Sequence, residues 1–393
     1  MRSALAGLTP AWLILIPALA VAQDPLAEPG FVHFYNLEFE EALAAFHAEA
    51  AKVPDSADAY NHIAQTILYR EMFRSGALES QLVTGTNPFL RRAKMNPSAA
   101  DDKLFSDAII HAMELAGARL KTSPNDAPAL YAMGVSYGLR SNYNFLVHKA
   151  WADALHDATS ARKAHHRATE ADPGFTDAFL VQGLYDYIVG SLPFHWKTLG
   201  FFAGFRGNRE RGVEALKLVA EKGRSNRADA AILLCAIYRR ERRAQDAIPY
   251  LHDLIERFPR NFLFRLELVQ MYGDLGDKDK ALEVVSQLDQ LKRSGAAGFD
   301  QLPEEKIRYT RGNLLFWYND LNAALEDMKA VTAKAETLDL NTGVYAWLRL
   351  GEIYDLKGQR EQAIAAYRET MRYAPGSEAA REARDFIASP YKR

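Results

Sequence analysis

The sequence predicts an all-α protein built as a tandem array of about eight helix-turn-helix units. Three observations lead there. Ala42, Ala112, Ala161, Ala215, Ala247, Ala281, Ala324 and Ala363 occupy the same slot of eight successive units. Cys235 to Val269, Tyr238 to Tyr272, Ala247 to Ala281 and Leu251 to Val285 are each 34 residues apart, so two adjacent units give the period directly. Pro54, Pro124, Pro173, Pro259 and Pro375 fall where a second helix must stop, because proline cannot continue the backbone ladder.

Each recurring slot has a steric reason. Where the two helices of a unit cross, the first helix needs a small residue. Ala64, Gly134, Gly183, Cys235, Gly312 and Gly351 supply it. The second helix answers with alanine at its closest approach. The last unit is the clearest, running Trp347, Leu350, Gly351, Tyr354, Gly358, Ala363, Tyr367, Pro375. It resembles the tetratricopeptide repeat, W-x2-L-G-x2-Y followed by A-x3-F/Y and P. That resemblance covers nearly all of the chain after residue 22. It implies a right-handed superhelical solenoid whose concave face holds other proteins, a functional inference by analogy of fold.

In chain order, the first element is a leader. Arg2, an apolar stretch from Ala11 to Ala22 and the closing Ala20-Val21-Ala22 read as a signal peptide over residues 1–22. Export, with a periplasmic location, is the expectation; an inner-membrane anchor formed by residues 4–22 is the alternative. Intact-mass analysis of the exported protein is expected to give a chain starting at Gln23. Retention of residues 1–22 in a membrane fraction would establish the anchor instead. Cys235 is the sole cysteine, so an internal disulfide is excluded, and its crossing slot marks it as a core thiol. Lys+Arg total 48 against Asp+Glu 50, a balance that argues against a nucleic-acid binder.

Residues 23–226 form an N-terminal half whose repeats are interrupted at about 74–107, 139–152 and 189–208. Residues 227–376 carry more regular repeats, and 377–393 read as a polar capping helix and tail, as a solenoid end requires. The interruptions are rich in aromatic and basic residues: Phe89, Arg91 and Arg92 in the first, Tyr143 and Phe145 in the second, Phe194, Trp196, Lys197, Phe201, Phe202 and Arg206 in the third. Solvated loops rarely carry so many aromatics. Gly204-Phe205-x-Gly207-x-Arg209-x-x-Gly212-x-x-x-Leu216, after Ser191-Leu192-Pro193, resembles the inclusion-body-clearance family of tetratricopeptide repeat protein 39 and its fungal relatives. That family sits at the mitochondrial outer membrane. A leader for export is at odds with that location, so only the architecture carries over.

First helices line the concave face in this motif. In the third and fourth units the inward slots are apolar: Tyr131, Val135, Leu139, Leu180, Leu184, Tyr187 and Ile188. Such a face needs a cover, and the aromatic interruptions are expected to supply it. In the C-terminal half the inward slots are mixed: Arg239, Arg240, Gln270, Lys306, Tyr309, Asn313, Trp317, Tyr345 and Glu352. Charges with Tyr and Trp anchors suit an extended peptide or a partner helix.

Catalytic and cofactor chemistry finds no carrier. There is no H-E-x-x-H, G-x-S-x-G, phosphate-binding glycine loop or paired-cysteine pattern. His165 and His166 point about 100° apart on one helix, so they cannot share an ion. The function read from the sequence is a non-enzymatic, exported protein-interaction scaffold with no cofactor. The alternative is a lipid or small-molecule carrier, or a protein touching a membrane surface, using Phe89, Arg91, Arg92, Phe194, Trp196, Lys197, Phe201, Phe202 and Arg206.

Overall fold

The computed structural model describes residues 24–78, 94–191 and 207–393. They form seventeen α-helices with no strand among the described residues. Eight antiparallel pairs follow in order: α1 Pro29–Tyr35 with α2 Phe39–Lys52, α3 Ala57–Arg74 with α4 Ala99–Thr122, α5 Ala127–Tyr143 with α6 Trp151–Ala171, α7 Phe179–Gly190 with α8 Arg209–Lys222, α9 Arg227–Arg240 with α10 Ala244–Arg257, α11 Phe262–Asp274 with α12 Lys278–Arg293, α13 Glu304–Trp317 with α14 Leu321–Thr332, and α15 Leu340–Leu356 with α16 Arg360–Tyr373. A last helix, α17 (Glu378–Ala388), closes the stack.

Local chemistry explains the boundaries. Ser56, Ser98, Asp126, Asn208, Asn261, Asp277, Asp339 and Ser377 each accept a backbone N–H of the helix they precede, satisfying one orphan donor apiece. Pro54, Pro124, Pro173, Pro259 and Pro375 each lie two residues beyond the last residue of a second helix. First helices stop differently, at a left-handed residue: Gly276 and Gly358 take this conformation without a Cβ penalty, whereas Leu37, Arg242 and Asn319 bear it.

The alanine slots are where the pairs touch. Seven of the eight are essentially inaccessible, and Ala215 is half-buried. Opposite them the small residues leave no room. A Cβ on Gly351 would lie 2.4 Å from Tyr367 Cε1, and one on Gly312 would lie 2.8 Å from Asp327 Cβ. In the fourth pair both helices use glycine: a Cβ on Gly212 would lie 2.5 Å from the Tyr187 nitrogen, and one on Gly207 would lie 2.7 Å from that of Gly190. Gly207 and Gly212 thus have a packing reason, and Leu216 of the same motif is fully buried. Cys235 is buried, its Sγ 3.7 Å from the Ala247 carbonyl oxygen, and burial pushes its thiol pKa well up.

The interruption at 139–152 is not a loop. Helix α5 passes directly into a π-helical stretch, Asn144–His148, that stops at left-handed Lys149. Phe145, Leu146 and Val147 are buried there. Tyr143 stacks on Phe105 with centroids 3.8 Å apart and donates its hydroxyl to Asp102. Helix α4 begins at Ala99, inside the interruption read at about 74–107, and runs 24 residues.

The segment that precedes the second helix closes back onto the fifth and sixth pairs, where the Tyr35 ring lies 4.8 Å from that of Phe258, while Ile188 of the N-terminal inward slots is exposed. Leu26, Phe31, Phe34 and Tyr35 belong to one buried cluster with Leu139, Tyr187, Phe258, Phe262 and Leu266, and Val135 and Leu180 pack against it. Polar clasps reinforce this closure across more than 200 residues of sequence. Asp24 pairs with Arg227 and Arg257, and Glu38 takes a bidentate bond from Arg260. The Asn261 side chain donates to the Tyr35 carbonyl. The Tyr35 hydroxyl meets Asp229, whose pKa is pushed up to about 6 by burial against the opposing hydrogen bond.

The expectation that Phe194, Trp196, Phe201 and Phe202 cover Leu180, Leu184, Tyr187 and Ile188 falls on residues outside the described ones, as do Phe89, Arg91, Arg92, Lys197 and Arg206. The leader lies outside them too. No helix among the described residues is long and apolar enough to cross a membrane.

Candidate partner-binding face

Neighbouring first helices lie side by side, so residues three and four apart on each of them build one continuous surface. On α13 this row is Lys306, Tyr309, Asn313 and Trp317; on α15 it is Tyr345, Arg349 and Glu352. The two rows meet where the Arg349 guanidinium lies 4.0 Å from the Phe316 ring centroid and 4.9 Å from that of Trp317. Cation–π attraction of this kind orients the guanidinium without neutralising it.

The nine sequence-nominated residues fall into distinct environments. Trp317 is 60% exposed and Arg240 is also exposed. Gln270 and Tyr345 are half-buried. Lys306, Tyr309, Asn313 and Glu352 are buried. Lys306 is held by Asp339 at 2.8 Å and by Thr342. Arg239 is enclosed by Glu267, Gln270 and Asp274 at 3.1–3.4 Å, so the fifth and sixth pairs present a self-neutralised network. Burial raises the Glu352 pKa to about 7; its bond to Arg349 opposes the rise and the charge of Glu382 adds to it.

Two buried polar atoms on this face, Asn313 Oδ1 and Arg349 Nε, stand out. Asn313 is only 8% exposed, yet its Oδ1 has no hydrogen-bond partner among the described residues. A buried acceptor left unmet costs roughly 1–3 kcal/mol. It sits one helical turn from the exposed Trp317 ring. The acceptor is closed to solvent, whereas the Trp317 ring stands open beside it.

A segment the sequence reading did not place lies on the same face. After α17 the chain is extended at Ser389, and residues 389–393 run back over the eighth and seventh pairs. The Tyr391 nitrogen donates to Asp355 Oδ2 at 2.8 Å, and its ring meets Phe316 and Phe386. Arg393 lies over Phe316, donates to the Phe316 carbonyl and bonds Asn319 at 3.0 Å. Pro390 was the available signal, since it ends the helix and favours an extended path.

Elsewhere the polar groups are structural. His165 is buried in the Gly134 crossing, where a Cβ on that glycine would lie 2.7 Å from the imidazole. Among the described residues no three His, Cys, Asp or Glu side chains are grouped to hold a metal ion. A cleft of about 630 Å³ lies between α8, α9 and α10, lined by Arg227, Ala231, Tyr250, Asp253 and Arg257.

Residues 345–377, the eighth pair, match the family model described as tetratricopeptide repeat. Among solved structures the chain is similar to the APC/C hetero-tetramer Cut9–Hcn1, at 13% identity and TM-score 0.50, over 92% of this chain and 54% of that one. It thus spans about half the length of that relative. Yeast Tom70 (12% identity, TM-score 0.42, 94% of this chain and 89% of that one) and the human IFIT1 dimer with m7Gppp-AAAA (12%, 0.45, 92% and 82%) are further matches. At such identities the likeness to Cut9–Hcn1 is one of fold. No curated protein matches the sequence significantly.

Proposed function

We propose that this tetratricopeptide-repeat protein is a non-catalytic scaffold, exported from the cytoplasm, that binds an extended segment of a partner protein on the concave face of its last two repeats. The observation that carries the reading is the exposed Trp317 ring beside the Arg349 guanidinium, an aromatic anchor open to a partner. A solenoid offers shape and side-chain complementarity along its groove, and no step of bond making is needed. Arg2, the apolar stretch to Ala22 and the Ala-Val-Ala site support export. The lipid or small-molecule reading rests on Phe89 to Arg92 and Phe194 to Arg206, outside the described residues.

Trp317→Ala tests the reading. The side chain is largely in solvent, so its removal is expected to leave helical content and melting unchanged. Truncating an aromatic anchor at an interface costs about 2 kcal/mol, roughly 30-fold in affinity. Capture of a partner from a cell-envelope fraction is therefore expected to fall to background. Undiminished capture by the folded variant would move the site elsewhere. Tyr309→Ala is a poor companion, because that ring is packed in the core of the seventh and eighth repeats.

A further inference from the structure

The segment after α17 is short, extended and chemically specific. Pro390 prevents α17 from continuing beyond Ala388. Beyond it, Tyr391 and Arg393 both lie against the Phe316 ring. Two contacting residues separated by one is the spacing of an extended peptide laid along a surface.

Each contacting group meets a complementary one. Asp355 is almost wholly buried, and its carboxylate accepts from Arg360, from the Tyr367 hydroxyl and from the Tyr391 backbone nitrogen. Two of those donors belong to the repeat, and the third comes from the segment. Phe316, itself inaccessible, is covered by Tyr391 and by the Arg393 guanidinium, 4.4 Å from the ring centroid. Arg393 also lies 5.9 Å from the Trp317 centroid and within electrostatic reach of Glu352. Nevertheless Lys392 and Arg393 are exposed, so the segment is held from one side only and can leave.

We propose that residues 389–393 occupy the groove of the last two repeats as an internal ligand, and that the partner segment displacing them has the same chemistry, an aromatic residue and an arginine two positions apart on an extended backbone. This rests on the partner-binding reading of the same face and adds the partner's sequence class. It also adds a threshold, because a tethered segment competes at an effective concentration in the millimolar range.

The test uses the full chain and the double variant Tyr391→Ala, Arg393→Ala, which vacates the groove. The probe is a synthetic peptide, Ser-Pro-Tyr-Lys-Arg, acetylated and amidated so that its ends carry no charge. It is titrated to about 5 mM against tryptophan fluorescence, beyond the effective concentration of the tether. Saturable binding to the vacated variant is expected, with the unaltered chain requiring at least about ten-fold more peptide. A peptide with alanine in place of its arginine is expected to lose the signal. Absence of saturable binding to the vacated, folded variant, or identical titrations of both proteins, would overturn the proposal. If that happens while Trp317→Ala still abolishes partner capture, the face remains the partner site and the segment is only a brace. If the peptide binds as expected but Trp317→Ala captures partner normally, the internal ligand stands and the partner reading fails.

Discussion

Replacing Gly351 with leucine is expected to destabilise the last two repeats by about 3 kcal/mol or more, the upper end of what overpacking costs. The first added carbon would already lie 2.4 Å from Tyr367 Cε1 and 2.6 Å from Cδ1. The ring cannot swing away, because Tyr367 is inaccessible and its hydroxyl is tied to Asp355 at 2.9 Å. The two helices must therefore separate. Asp355 also holds residues 389–393 through Tyr391, so the damage should reach that segment. A solenoid couples mainly neighbouring repeats, with one added link here where the Asn341 side chain reaches the Gly76 carbonyl after α3. Hydrogen exchange is expected to accelerate across α13 to α17 and to stay unchanged in α5 to α8. Uniform acceleration along the chain would contradict both the crossing and the quasi-linear coupling.

Acid is expected to act through His165. Burial in the third pair lowers its pKa from the ordinary 6.5 to about 4. Because the folded value lies below the unfolded one, the neutral ring contributes stability fully above pH 6.5. That contribution is lost as pH falls from 6.5 through 4. The difference corresponds to about 3 kcal/mol. His165→Leu removes the titration while keeping an apolar group beside Gly134. Urea unfolding at pH 7.5 and pH 4 is expected to show a smaller acid-induced loss in the variant by about that amount. Equal losses in both proteins would show that the imidazole is not held neutral. Asp229 acts in the opposite sense: its pKa of about 6 lies above the ordinary 3.8, so its contribution is present in acid and lost as pH rises through 6.

Repeat number, helix pairing and the stopping points were legible because they are local. An alanine at a 34-residue interval, a glycine at a crossing and a proline two residues past a helix each act on their own pair of helices, so their spacing alone places them. Cys235 could be assigned to the core for the same reason. Of the candidate face, the exposure of Trp317 follows from its slot at the end of its helix.

Other features needed the tertiary structure. Lys306, Tyr309, Asn313 and Glu352 occupy the same kind of slot as Trp317, yet they are buried. Their cover comes from neighbouring helices whose distance depends on the superhelical turn, which no single repeat encodes. The 139–152 stretch resembled an insertion because the period breaks there, but added helical turns break a period as effectively as a loop does. Nothing in the spacing tied Tyr35 to Phe258 and Asn261, which it meets across more than 200 residues. The sequence by itself determined the repeat, because each unit is stabilised by contacts a few tens of residues apart. Only the tertiary structure decided which parts of the groove are filled, because that depends on how eight small rotations add up and bring distant segments together.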